Sequence, residues 1–258
     1  MIRRVLLGAG GALLSLGLFA AAPDPSGLYP SLIPPSWRLP LGSDLLGRDY
    51  LHVTLIALGR TLSDVLLAYL LGVFATLISL VVTGLPWARP RHAMRVFVVV
   101  GTAVPPLFLA LLFSRLFAEN GISGFVPGLA LIAWFRLFKL LDSDVQQLRV
   151  QPYYTMTKAL GLSPSRVFTH YVLPPVGRAA LRYLPLEMME LTALHATLSF
   201  FGMESAEGAE SIGRLIATGR GFLDTAPWMF WGPVLLLAGV LFALRHGSLS
   251  KAASQPAV

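Results

Sequence analysis

The sequence predicts an all-α, polytopic membrane protein with about six transmembrane helices and a cytoplasmic helical elbow. Three observations carry this. The chain is 55% apolar with a mean hydropathy of +0.69, and only 13% of its 258 residues are charged, about half the usual share. Six apolar segments, 5–22, 62–85, 96–117, 125–141, 180–202 and 227–244, have roughly the 20 residues a helix needs to cross hydrocarbon. Finally, Lys and Arg are sorted between loops rather than gathered in one patch.

Taken in order, the first segment has a basic start at Arg3 and Arg4, an apolar run and the sequence AAAP, as cleavable secretory signals do. Its apolar run of 18 residues is longer than the usual run of about 7 to 15, which favours an uncleaved anchor; cleavage would leave five spans. Residues 23–44 are rich in Pro, Gly and Ser and predict an irregular stretch, part of an extracytoplasmic connection over 23–60. Within it, Asp44 is placed to cap an interfacial helix, and Arg48 and Asp49 to form a local ion pair. Asp64 reads as a cap or interface group near the outer end of the second span. Pro105 and Pro106 remove backbone bonds inside the third span and predict a kink.

With the N-terminus inside, segments 1–4, 86–95, 136–182 and 245–258 hold 14 of the 20 Lys and Arg, which places both chain ends in the cytoplasm. One membrane domain covers 1–258, with a cytoplasmic loop at 142–178. In that loop, residues 153–160 contain good helix formers and Gly161 follows as a C-terminal stop. Ser163 is placed to cap a second helix, with Pro164 at its first position, where the missing N–H costs nothing. Val167, Phe168 and Tyr171 recur at helical spacing as an apolar face, while Arg166 and His170 stay near a polar surface. Leu-Pro-Pro at 173–175 is expected to end that helix before the fifth span. A solvated basic loop is the alternative.

Several chemistries are excluded or disfavoured. No cysteine is present, so there is no disulfide framework, thiolate nucleophile or Cys-bound metal. The pI of about 10.1 does not indicate nucleic acid, because the charge follows membrane sidedness. No Gly-Lys pair occurs, so the phosphate loop of an ATPase is missing. Glu187, Glu190 and His195 lie inside the fifth span, where ionisable groups are costly and point to function. The two glutamates share a helix face and His195 is displaced by most of a turn. Lining a pathway, bonding a neighbouring helix and snorkelling to the interface are all open to them. A metal enzyme is disfavoured because the HExxH spacing is absent.

Gly161, nine residues and then Tyr171-Val172-Leu173-Pro174 match the spacing of the cytoplasmic EAA loop of a known family. The chain resembles the inner-membrane permease subunits of binding-protein-dependent ABC importers, with the EAA triplet itself replaced by Thr155, Met156 and Thr157. LGSDLLGRDYL is similar to the GTDxLGRD segment of one permease type of the oligopeptide, dipeptide and nickel branch. VPPLFLALLF, Trp134 and LSFFG at 198–202 add to a similarity that runs from about Gly42 to Trp231.

The resemblance implies a non-catalytic inner-membrane subunit that binds no cofactor itself. It implies a second permease subunit, two ATPase subunits that use ATP and Mg, and an extracytoplasmic substrate-binding protein. It also implies that the elbow, with Ala159, Gly161, Ser163, Pro164, Arg166, Val167, Phe168, His170, Tyr171 and Pro174, couples to the ATPase. Asp44, Arg48 and Asp49 would then lie near the outer gate or the docked binding protein, and peptide, nickel and metal-chelate cargoes all remain open. An ATPase-independent transporter or channel and a noncatalytic assembly subunit are the readings from other classes.

Overall fold

The computed structural model describes residues 29–84, 88–117, 125–203 and 210–252. The segment 5–22 lies outside them, so the first expected span is not described.

Residues 29–49 form an irregular, hydrogen-bonded loop, as the Pro, Gly and Ser content predicts. Buried Ser43 ties it together, donating to the Pro30 carbonyl and accepting from the Ile33 N–H, both at 2.8 Å. Helix α1 (Tyr50–Gly84) then runs for 35 residues, about 52 Å of axis. It starts well before the expected span at 62, because Asp49 accepts the Leu51 N–H at 2.9 Å and caps it.

Helices α2 (Ala88–Ala103) and α3 (Pro106–Leu116) correspond to the expected third span, but they meet at 95°. The expected kink is a full break. Pro105 and Pro106 both lack an N–H, and a residue preceding proline is pushed out of the α region, which applies to Val104 and to Pro105. Helix α4 (Phe125–Arg149) packs along α1, where a Cβ at Gly72 would come within 2.7 Å of the Ala133 Cβ. Small residues therefore let these two backbones close up.

The elbow follows. Helix α5 (Pro152–Ala159) turns into α6 (Pro164–Val167), and α6 continues through a π-helical turn (Phe168–Val172) directly into α7 (Leu173–Phe200). This corrects the expectation that Leu173 to Pro175 ends the helix: the wider turn carries the chain past both prolines. Helix α8 (Ile212–Gly219) and a short 3-10 turn (Arg220–Phe222) lead to α9 (Trp228–Ala252).

Three buried clusters among the described residues hold the helices together, one of them, with Tyr50, Val53, Leu215 and Met229, joining the start of α1 to α8 and α9. Val65, Phe125, Leu129, Leu191 and Ile212 belong to a second, and Leu80, Phe138, Leu141, Val145, Val172 and Val176 to the third, nearer the elbow. The exposed side of α1 is apolar at Leu67, Leu70, Phe74, Ile78 and Val81, a helical stripe suited to lipid.

Among the described residues, α1 and α9 are each long and apolar enough to cross a membrane, and α2 with α3 makes a third crossing if the bent pair is one span. Helices α4 and α7 have the length, 25 and 28 residues, but carry more charge than such a span usually holds. Their charges meet each other. Arg136 pairs with Glu187 and Glu190, and Arg182 lies 3.4 Å from Asp144, so the two helices run antiparallel with ionic contacts at two levels.

Candidate functional site

At mid-length of α4, Arg136 reaches two carboxylates on α7. Its Nε lies 3.4 Å from Glu187 Oε1, and its Nη1 contacts Glu190. Glu187 is fully buried and neither of its oxygens has a hydrogen-bond partner, whereas the Glu190 side chain is 37% exposed and that of Arg136 27%. One guanidinium thus serves two carboxylates of unequal exposure, in a setting where a lone buried charge is expensive. The glutamates do share a face, as their spacing predicts. Their partner was placed by charge counting in a cytoplasmic segment. Two carboxylates within one span call for a basic group at the same depth, and Arg136 lies inside the apolar segment 125–141, so a signal for it was present.

His195 faces away from this group. It is fully buried, with Nε2 at 3.3 Å from Asp64 Oδ2, Nδ1 at 3.3 Å from Ser199 Oγ and its ring edge-on to Phe125. Asp64 is therefore not a helix cap: it lies inside α1, 31% exposed, and ties α1 to α7. On α7, Arg182, Leu186, Glu190, Ala193 and Thr197 form an open stripe that is more polar than the apolar stripe of α1.

The elbow has the predicted cap chemistry. Gly161 adopts φ +66, the Leu162 N–H bonds back to the Thr157 carbonyl at 3.2 Å, and Ser163 Oγ accepts the Arg166 N–H at 3.4 Å, with Pro164 next. Ala159, Gly161, Ser163, Pro164, Arg166, His170 and Pro174 are exposed, and Tyr171 is half-buried. The expected apolar face is corrected. Val167 is buried, and Phe168 packs against the chain's own cluster around Val172 and Val176. The apolar surface left open belongs to α5 and its approach, at Val150, Tyr153, Met156 and Leu160. Gly161→Val should strain this turn by about 1–2 kcal/mol, because a β-branched residue there is a steric outlier, although a Cβ would meet nothing within 4 Å. Gly161→Asn should be tolerated. Limited proteolysis of membrane-inserted chains should cut the Val variant faster at the elbow and leave the Asn variant like the parent.

In the loop before α1, Arg48 does not pair with Asp49. Its Nε donates to Asp44 Oδ2 at 2.7 Å and its Nη2 to Glu210 Oε1 at 2.8 Å, clasping the loop to the segment before α8. Burial opposes the charge on Arg48, but the hydrogen bonds from Glu210 and Asp44 outweigh it and hold the guanidinium above its ordinary value. Asp44 caps the turn rather than the helix, its Oδ1 accepting the N–H groups of Leu46 and Arg48 at 2.9 and 2.8 Å. Asp44→Ala should therefore cost more, about 2–3 kcal/mol, than Glu210→Gln at about 1 kcal/mol. Thermal unfolding of the detergent-purified chain gives the order, and equal shifts would contradict the double role of Asp44.

The model of the family described as binding-protein-dependent transport system inner membrane component matches residues 68–246. A Brucella ovis protein named as a peptide permease is 29% identical, over 79% of this chain and 68% of that protein. The inner membrane ABC transporter permease protein YejE of Escherichia coli is 28% identical, over 83% of this chain and 63% of its own length. The oligopeptide transport system permease protein OppC of Bacillus subtilis is 22% identical, over 82% and 69%. A solved chain, from the crystal structure of an amino acid ABC transporter with histidines, superposes with a TM-score of 0.59 at 16% identity, over 79% of this chain and 92% of that one, a likeness of fold. The chain belongs to the inner membrane components of binding-protein-dependent transport systems, as a multi-pass, non-catalytic permease subunit of the inner membrane.

Proposed function

We propose that this subunit forms half of the translocation pathway of an ATP-driven peptide importer. It pairs with a second permease subunit, two ATPase subunits and an extracytoplasmic binding protein. Membership of a binding-protein-dependent system implies the ATPase and the binding protein. The names of the relatives support peptide cargo over nickel or metal chelates. In this reading the chain has six spans, the elbow and both chain ends are cytoplasmic, and residues 29–49 are extracytoplasmic. ATP and Mg are used in the partner.

The observation that carries the reading is the open apolar surface at Val150, Tyr153, Met156 and Leu160 on a compact, capped elbow. An apolar patch with a polar rim fits burial by a protein partner, and a solvated loop has no use for it. Within the membrane, the open stripe of α7 with Glu190 and Arg136 faces the pathway, and Glu187 and His195 stand behind it as the groups that orient it. Asp44, Arg48 and Asp49 hold the loop at the outer gate. ATP binding closes the ATPases, and the elbows convert that movement into alternate opening of the cavity outward and inward.

Co-purification and uptake test this together. The chain should recover an ATPase subunit at equal stoichiometry in mild detergent, and the reconstituted complex should accumulate labelled oligopeptide only with ATP and binding protein. ATP-independent uptake would favour a channel or secondary transporter, and recovery in a complex without an ATPase would favour an assembly role.

A further inference from the structure

The helix that joins the elbow to the membrane changes its winding at one place. From Phe168 to Val172 the turn is π-helical, with the Leu173 N–H bonding to the carbonyl of Phe168, five residues back. Such turns are rare and need a cause. Pro174 and Pro175 follow at once. In an unbroken α-helix their rings would clash with the carbonyls of His170 and Tyr171, and neither could donate a bond. A single proline, Pro185, is carried inside α7, and the described π turn sits only at the pair.

Burial shows what the turn does. Val167 and Val172 are both buried, at 8% and 4% exposure, and Val176 follows at 1%. Five residues of α-helix would put Val167 and Val172 about 140° apart, on different faces. One extra residue in the turn brings them to about 40°, so both are buried on the same side of the helix. The phase of everything before Phe168, including the open face of α5, therefore depends on that extra residue.

We infer that Pro174 and Pro175 are positioning residues that lock the rotational register between the elbow and α7. They exclude the α-helical alternative, in which the elbow is turned by about 100° and its apolar surface no longer points at the ATPase. The register assignment concerns this chain alone, and its effect on transport rests on the proposed coupling to an ATPase.

The full-length chain has no cysteine, so Val167→Cys gives a single reporter. With the native prolines, the buried thiol should react slowly with a membrane-impermeant maleimide in opened membranes. Adding Pro174→Ala and Pro175→Ala should let the turn close to α and raise the labelling rate about tenfold. Deleting the exposed Thr169 in that background removes the surplus residue, and should return both slow labelling and uptake. Should the double alanine chain be degraded, the deletion is still expected to recover it. Slow labelling despite the alanines, or failure of the deletion to restore the slow rate or the chain, overturns the register lock. Labelling that rises and falls as expected while uptake stays constant would uphold the register lock and sink the coupling reading.

Discussion

Arg136→Gln should remove most of the protein from the membrane. Glu187 is fully buried with neither oxygen hydrogen-bonded, and the guanidinium is its only ion-pair partner among the described residues. Removing one member of a buried ion pair costs roughly 3–5 kcal/mol, because the other charge is left without compensation, and that is a large part of a typical stability. The chain should be made, fail to persist, and be lost in quantitative blots of membrane fractions. Arg136→Lys keeps the charge but not the fork that reaches both glutamates, so it should give an intermediate level.

The decisive variant carries Arg136→Gln, Glu187→Gln and Glu190→Gln together. A buried ionic group replaced as a whole is often tolerated, so its level should recover toward the parent's. If it recovers and uptake does not, the cluster serves transport beyond holding α4 to α7. If both recover, these residues are packing groups. Glu190→Gln alone leaves the Arg136 and Glu187 pair in place and should reduce uptake more than chain level. An unchanged level for Arg136→Gln would contradict the burial of Glu187.

These residues also mark how far the sequence could be read. Apolar runs and charge sorting are local, one-dimensional signals, and they located the helices at 62–85, 125–141, 180–202 and 227–244. The cap chemistry of Gly161, Ser163 and Pro164 is equally local, since each acts on backbone within a few residues, whereas the cap of α1 was expected at Asp44 and falls at Asp49. Arg48 and Asp49, by contrast, are neighbours in sequence but not partners, because a tight turn brings Asp44 closer and Glu210 arrives from 162 residues away. Arg136 and Asp64 were misplaced for the same reason: their partners lie on another helix, and periodicity on one helix does not name them. The π turn was hidden because helical spacing assumes uniform winding. Helical spacing gives Val167, Phe168 and Tyr171 one apolar face without saying which way it points; Phe168 lies on the side of Val172 at ordinary helical winding, and the surplus residue brings Val167 round to that side as well.

That rephasing sets up the second large effect. Met156→Asp and Leu160→Asp should abolish recovery of the ATPase subunit and ATP-driven uptake, while leaving the permease itself at its normal level. Both side chains are largely exposed, at 66% and 75%, so a carboxylate there remains hydrated in the isolated chain and costs its fold little. Only when a partner covers the surface does the charge become buried and unpaired, at a cost of several kcal/mol, enough to lower affinity by a hundredfold or more. Val167→Asp is the internal contrast. Val167 is buried in the chain's own structure, so the charge should lower the amount of permease in the membrane before any ATPase is involved. Comparing permease level, co-purified ATPase and uptake across the three variants separates the two faces of the elbow. Normal ATPase recovery by both the Met156 and Leu160 variants would remove that surface as the docking face, and a normal level for Val167→Asp would contradict the inward phase of α6.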